Sequence, residues 1–136
     1  ELWSLVGANS NPLAAGYIQE MVKTIRGLGG IAITSTQGMQ DLFSLDNGKY
    51  GKGILDSSRI KIVMQMEEQE ARLIQNVLNL SEEEVRQITR FRRGEGLLCI
   101  GYNHVPIAFY ATQKEYDAIT TSPTDLLNRN IKNETV

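Results

Sequence analysis

The sequence has one cysteine, one histidine and no excess of either charge: 16 acidic side chains stand against 14 basic ones, a formal charge of −2. A single cysteine excludes an internal disulfide scaffold and makes a reducing compartment the expectation. The balanced charge, with no block of one sign, leaves no basic footprint for nucleic acid. No apolar run approaches the ~18 residues that would span a bilayer. Repeats and low-complexity segments are lacking. So are a Gly-x-x-x-x-Gly-Lys-Ser/Thr phosphate loop, a Cys/His metal spacing and a Gly-x-Ser-x-Gly elbow. The chain also lacks an initiator Met and a signal peptide, opening with Glu1-Leu2-Trp3, which reads as a chain cut out of something longer. What is present is 136 residues, 41% hydrophobic and 22% charged, sufficient for one domain with a single core.

The apolar pattern predicts a first helix over Leu13–Leu28. Leu13, Tyr17, Met21, Ile25 and Leu28, with Ala14, Ile18 and Val22, form one stripe. Asn11-Pro12 supplies the start, and Gly29-Gly30 supplies a left-handed end. Gly30–Gln37, short and β-branched, reads as a strand buried on both faces, so that helix, turn and strand suggest half of a βαβ unit and a parallel sheet. Met39–Leu45 suggests a short helix, and Asp46–Gly53, with three glycines in six residues, a mobile loop.

Arg59–Met66 reads as a second buried strand, followed by a helix over Glu67–Leu78 with Ala71, Ile74, Val77 and Leu78 on one face. Ser81 and Glu84 form a capping box for a helix over Glu82–Phe91, closed by Arg90, Arg92 and Arg93. Glu95–Gly101 and Val105–Ala111 suggest an antiparallel hairpin joined by Tyr102-Asn103-His104, with Pro106 placing the second strand at an edge. Thr112 and Glu115 repeat the capping-box pattern over Thr112–Thr121, and Thr124–Val136 reads as a weak helix or tail.

Few residues carry chemistry. His104, in the expected turn, reads as structural or solvated, and Cys99, between Leu98 and Ile100, as a small buried hydrophobe. Thr36 and Gln37 lie at the carboxyl end of the first expected strand, where ligands gather in open α/β sheets. Gln37 alone reads equally well as an ordinary strand-terminal polar residue. Arg26 reads either as a functional cation or as a solvated helix-end charge that favours the dipole. Glu1 would share the edge of Thr36-Gln37 if a strand preceded it.

Taken in order, these segments resemble a known family. Glu1-Leu2-Trp3, Arg26-Gly27-Leu28-Gly29-Gly30 and Ile33-Thr34-Ser35-Thr36-Gln37 are similar to the stretch after the Walker B aspartate in the conjugative-transfer ATPases of type IV secretion systems. Ile54–Lys61, Leu78–Glu84, Arg93–Leu98 and Val105-Pro106-Ile107 follow that family in order and spacing, so that the resemblance covers residues 1–121.

The resemblance implies an α/β fold: a partial RecA-like P-loop ATPase domain, mainly a parallel sheet with flanking helices and a C-terminal antiparallel hairpin. Residues 1–121 would be its C-terminal portion, and 122–136 a terminal tail or short helix. It implies Glu1 as the catalytic glutamate, Arg26 as the finger that reaches a neighbouring subunit's nucleotide, and Gln37 as the γ-phosphate sensor, with Thr36 and Gln37 at the nucleotide. ATP and Mg²⁺ would serve the intact protein and neither the fragment, because the phosphate loop and the Walker B aspartate would lie upstream of Glu1. The expected assembly is a homo-oligomer, a hexameric ring, cytoplasmic and peripheral to the inner face of the bacterial membrane. Its partners there would be other type IV secretion components, and its substrate protein or DNA. A DNA-pumping translocase, contacting DNA through Lys49 and Lys52 of the Asp46–Gly53 loop, is an alternative, as is an α/β interaction module without enzymatic activity. Strands separated from core neighbours would also expose a sheet edge and favour self-association.

Overall fold

The computed structural model describes residues 11–125. The first helix, α1, spans Pro12–Thr24 and runs into a 3₁₀ turn at Ile25–Leu28. The Asn11 side chain accepts the Leu13 N–H at 2.9 Å, Pro12 takes the first helical turn, and Gly29 closes the segment with φ 74°. The ends therefore agree with the sequence pattern. The buried face does not. Ala15 is fully buried and Ile18 and Val22 pack beside it, whereas Leu13 and Tyr17 of the expected stripe are 83% and 69% exposed. The helix is apolar over more than one face, and the described residues cover only the Ala15 side.

Residues 30–37 form an extended segment that joins no sheet, and Ile31 and Ile33 lie in solvent at 88% and 92% exposure. The expected strand is thus absent from the described residues. β-branched residues favour extended backbone, but a ladder requires a partner, and none is described beside this segment.

Helix α2 spans Met39–Leu42, followed by a turn at Leu45–Gly48 and helix α3 at Lys49–Ser57. The expected mobile loop is accordingly ordered. Asp46 and Asn47 take left-handed backbone with φ 50° and 52°, which suits their short polar side chains, and Gly48 leads into α3. Gly51 is buried on α3, where a Cβ would run into the Leu42 carbonyl. Its lack of a side chain serves close packing rather than mobility. Ala15, Leu42 and Ile54 form the apolar cluster that joins α1, α2 and α3.

The sheet follows: β1 at Ile60–Met64, β2 at Glu95–Ile100 and β3 at Asn103–Ala108, in the order β1-β2-β3. Both pairings are antiparallel, with Ile62 opposite Leu98 and Leu98 opposite Val105. The hairpin matches expectation, but its loop is Gly101-Tyr102, and Asn103 and His104 belong to β3. Gly101, with φ 61°, occupies the first loop position that a tight hairpin turn reserves for glycine. Counting from the closing pair Ile100–Asn103, Pro106 falls at a pair without ladder hydrogen bonds, on an edge strand, and its missing N–H costs nothing there. The mainly parallel sheet is not what residues 11–125 form: every described pair is antiparallel.

Helices α4 (Glu68–Leu78) and α5 (Glu82–Arg90) cover one face of this sheet. Ala71, Ile74, Val85 and Ile88 meet Val63, Leu97 and Cys99 in the larger apolar cluster. Burying a side chain such as Ile88 contributes on the order of 1.5–3 kcal/mol. Asn79, left-handed with φ 55°, ends α4, and Ser81 and Glu84 form the anticipated capping box of α5. A second box, Thr112 with Glu115, starts α6 at Gln113–Ile119. The other face of the sheet stays open: Ile60, Ile62, Met64, Ile100 and Val105 are all exposed. The expectation that Arg59–Met66 is a buried strand is corrected here, since only Val63 of β1 is buried. The expected tail at 124–136 lies almost wholly outside the described residues.

Gly51→Ala tests the close approach. Alanine gains roughly 1 kcal/mol of helix propensity over glycine, but the overlap is with a backbone carbonyl and no rotamer relieves it. A net loss of about 1–3 kcal/mol is expected. Gly27→Ala, with open space around its Cβ position, should stay within about 0.5 kcal/mol. Urea unfolding midpoints of the two variants check this.

Candidate functional site

The extended segment after Gly30 faces β1 across a cleft of about 490 Å³. Thr36 and Gln37 line one wall, and Lys61 and Gln65 line the other. Leu42, Ile54 and Ile74 contribute apolar floor. The Thr36 hydroxyl donates to the Gly38 carbonyl at 3.2 Å and closes a turn. Immediately after it, the Met39 N–H donates to Glu70 Oε1 of α4 at 3.2 Å. Gln37 is exposed between these two ties. Lys61 interrupts an otherwise apolar strand, donates its Nζ to the Ser58 carbonyl, and is the one cation among the cleft residues.

These groups can all donate: hydroxyls and amides, which also accept, and one ammonium, with no carboxylate lining the cleft. Such a wall suits an anionic or polar ligand. It has no general base and no oxygen cage for a divalent cation, and no group of three or more metal-ligating side chains occurs among the described residues.

The sequence-predicted residues are therefore only partly assembled. Thr36 and Gln37 share the cleft wall. Arg26 sits exposed in the 3₁₀ turn after α1, outside the cleft lining; its carbonyl accepts the Gly29 N–H at 3.1 Å, and its side chain makes no hydrogen bond or ion pair to any described residue. Glu1 lies outside the described residues. Lys61, Gln65 and Glu70 were not anticipated. A lysine inside an apolar strand was a visible signal for the first, whereas the reach of Glu70 to a residue 31 positions away left none.

Lys49 and Lys52, the candidate DNA contacts, lie on helix α3 rather than on a mobile loop. Lys49 pairs with Asp46 at 3.5 Å and lies over the Tyr50 ring at 5.4 Å, the arrangement of a surface turn. No helix among the described residues is long and apolar enough to cross a membrane.

His104 and Cys99, opposite each other in the ladder, belong to the packed face of the sheet. The His104 side chain is 9% exposed and its Nδ1 lies 2.7 Å from Glu84 Oε1. An ionised carboxylate only accepts, so Nδ1 carries the proton and donates. Burial pushes the Glu84 carboxyl up, but the Ser81 N–H and hydroxyl and the His104 ring together outweigh it and hold it below the usual value. Burial, then the nearby Glu84 charge, pushes the Cys99 thiol up, which makes it a poor nucleophile. Both residues are structural, and the Ser81 cap, the Glu84 carboxylate and the His104 ring form one network that ties α5 to β3.

Residues 1–128 match the family described as the TraG P-loop domain. Among solved structures, VirB4 of Thermoanaerobacter pseudethanolicus is similar, with a TM-score of 0.75 and 30% identity. The match covers 85% of this chain and 30% of the VirB4 chain, so the present sequence spans well under half of that protein's length. No curated protein matches the sequence.

The Glu84 network carries a pH signature. A carboxyl held below its ordinary value of 4.5 stabilises the fold above that pH and loses this contribution as pH falls through the folded-state value, because the unfolded chain binds the proton first. Glu84→Gln should therefore narrow the difference in unfolding free energy between pH 7 and about pH 3. Urea titrations of both proteins at the two pH values check this; an unchanged difference would remove Glu84 from the acid response.

Proposed function

Because this chain belongs to the TraG P-loop domain family, among the conjugative-transfer and type IV secretion ATPases, we propose that it is the C-terminal portion of an ATP-hydrolysing motor domain. The observation that carries this reading is the family match over residues 1–128, nearly the whole chain. In the intact protein, hydrolysis drives pilus assembly or substrate transfer at the cytoplasmic side of the inner membrane, alongside other secretion components. The motor works as a RecA-like hexameric ring, and residues 30–37 join a parallel sheet supplied by the rest of the domain. Residues 1–121 form the motor portion and 122–136 a terminal extension.

The roles of the site residues follow from their chemistry. Gln37, on the cleft wall with Thr36, reports the γ-phosphate through its amide. Arg26, exposed and with a side chain unpartnered among the described residues, reaches the nucleotide of a neighbouring subunit and neutralises charge in the transition state. Glu1 orients the attacking water. ATP and Mg²⁺ supply the phosphoryl group and its counter-charge. Their cradle lies outside the described residues, since the cleft offers no carboxylate for Mg²⁺ and the sequence no phosphate loop. The isolated chain accordingly does not turn over ATP.

In the intact protein, Arg26→Ala should lower hydrolysis by roughly 10³-fold or more while nucleotide affinity holds, and Glu1→Gln should retain bound ATP without cleaving it. Steady-state phosphate release and nucleotide titration read both, and a normal rate in Arg26→Ala would overturn the finger. Calorimetry of the isolated 136-residue chain with ATP should show no binding; tight binding would contradict its assignment as a part without the phosphate cradle.

A further inference from the structure

We propose that Glu70 is a positioning residue for Gln37: by holding the Met39 N–H, its carboxylate fixes the Thr36–Gly38 turn that presents Gln37 to the cleft. The proposal rests on the reading of Gln37 as the γ-phosphate sensor.

Among the described residues, three glutamates occupy the third position of a helix, and two of them behave as that position directs. Glu84 and Glu115 fold back onto the backbone N–H of their own caps, Ser81 and Thr112, at 2.7 and 2.8 Å. Glu70, third in α4, departs from this. Its cap residue, Glu67, makes no side-chain capping bond, and Glu70 Oε1 instead accepts the Met39 N–H from another helix at 3.2 Å. The N-terminus of α4 thus forgoes a local cap, and its carboxylate serves α2, whose first N–H has no partner within its own helix.

That bond falls two residues after Gln37. On one side of Gly38, the Thr36 hydroxyl closes the turn onto the Gly38 carbonyl. On the other, Met39 is anchored twice, by its N–H on Glu70 and by a side chain packed against both apolar clusters. Gln37 is itself exposed, so its own contacts do not locate it. Its place is set by the residues that flank it. A hydrogen bond to a charged acceptor is the strongest tie available to such a segment. Any displacement of α4 would also carry the sensor with it, which makes α4 a mechanical link between the cleft and the sheet-covering layer.

Aspartate keeps the charge at position 70 but is one methylene too short for the bond, whereas glutamine keeps the reach and the accepting oxygen but not the charge. In the intact ATPase, Glu70→Asp and Glu70→Ala should lower kcat by roughly 10–100-fold, the scale of a misplaced group, with KM nearly unchanged. Glu70→Gln should retain most of the rate. The double variant Gln37→Ala/Glu70→Asp should be no slower than Gln37→Ala alone, since nothing is left to position. A wild-type kcat in Glu70→Asp beside a slow Gln37→Ala would overturn the positioning role and leave the sensor standing. A slow Glu70→Gln with a normal Glu70→Asp would assign the effect to charge and overturn it equally, as would additive losses in the double variant. A wild-type kcat in Gln37→Ala would instead remove the sensor reading on which the proposal rests.

Discussion

Met39 holds the described structure together. Its N–H is bound by Glu70, and its side chain touches both the cluster of Ala15, Leu42 and Ile54 and the larger cluster beneath the sheet. Packing of α2 on α4 is the main contact between the two clusters. A short helix of four residues would be marginal alone, because nucleating a helical turn is unfavourable. Here it persists because both of its sides are occupied and its first donor is satisfied from α4. The cleft, the Gln37 turn and the floor at Leu42 and Ile54 all take their positions from that seam.

Around it the molecule is asymmetric. One face of the sheet is closed by α4 and α5, and the other carries Ile60, Ile62, Met64, Ile100 and Val105 into solvent. Leu13 and Tyr17 on α1, and Ile31 and Ile33 after it, add further exposed apolar surface. Apolar side chains exposed side by side, as those of the open sheet face are, mark surfaces that take part in contacts rather than surfaces selected for solvation. It accords with a chain that spans 30% of the VirB4 chain it resembles.

Much of this was legible in the residues, and the reason is the same wherever it was. The Asn11-Pro12 start, the Gly29 end, the capping boxes at Ser81 and Thr112, and the edge position of Pro106 each depend on groups within a few residues of one another. Local hydrogen bonds and fixed dihedrals allow few alternatives. The glycines between Asp46 and Gly53 were a different matter. Composition reports that glycine permits mobility, but it does not report that the Leu42 carbonyl lies where a Gly51 Cβ would be. For the candidate site, Thr36 and Gln37 stood out by their place at the end of an apolar run. Lys61 stood inside a strand unremarked, and Glu70 looked like any first-turn acid of a helix.

The sequence by itself determined the described helices other than α3, where the capping residues stop and start them, the hairpin, and the family to which the ordered motifs point. Only the tertiary structure decided which face of α1 is buried, that residues 30–37 remain without a ladder, and that a carboxylate from α4 holds the turn carrying Gln37. The division has a physical cause. Caps and periodicity are satisfied within one or two helical turns, so neighbouring residues encode them. Burial, ladder pairing and the Glu70 bond each need a partner brought from far along the chain, and periodicity can name the groups that want one without saying which one they meet.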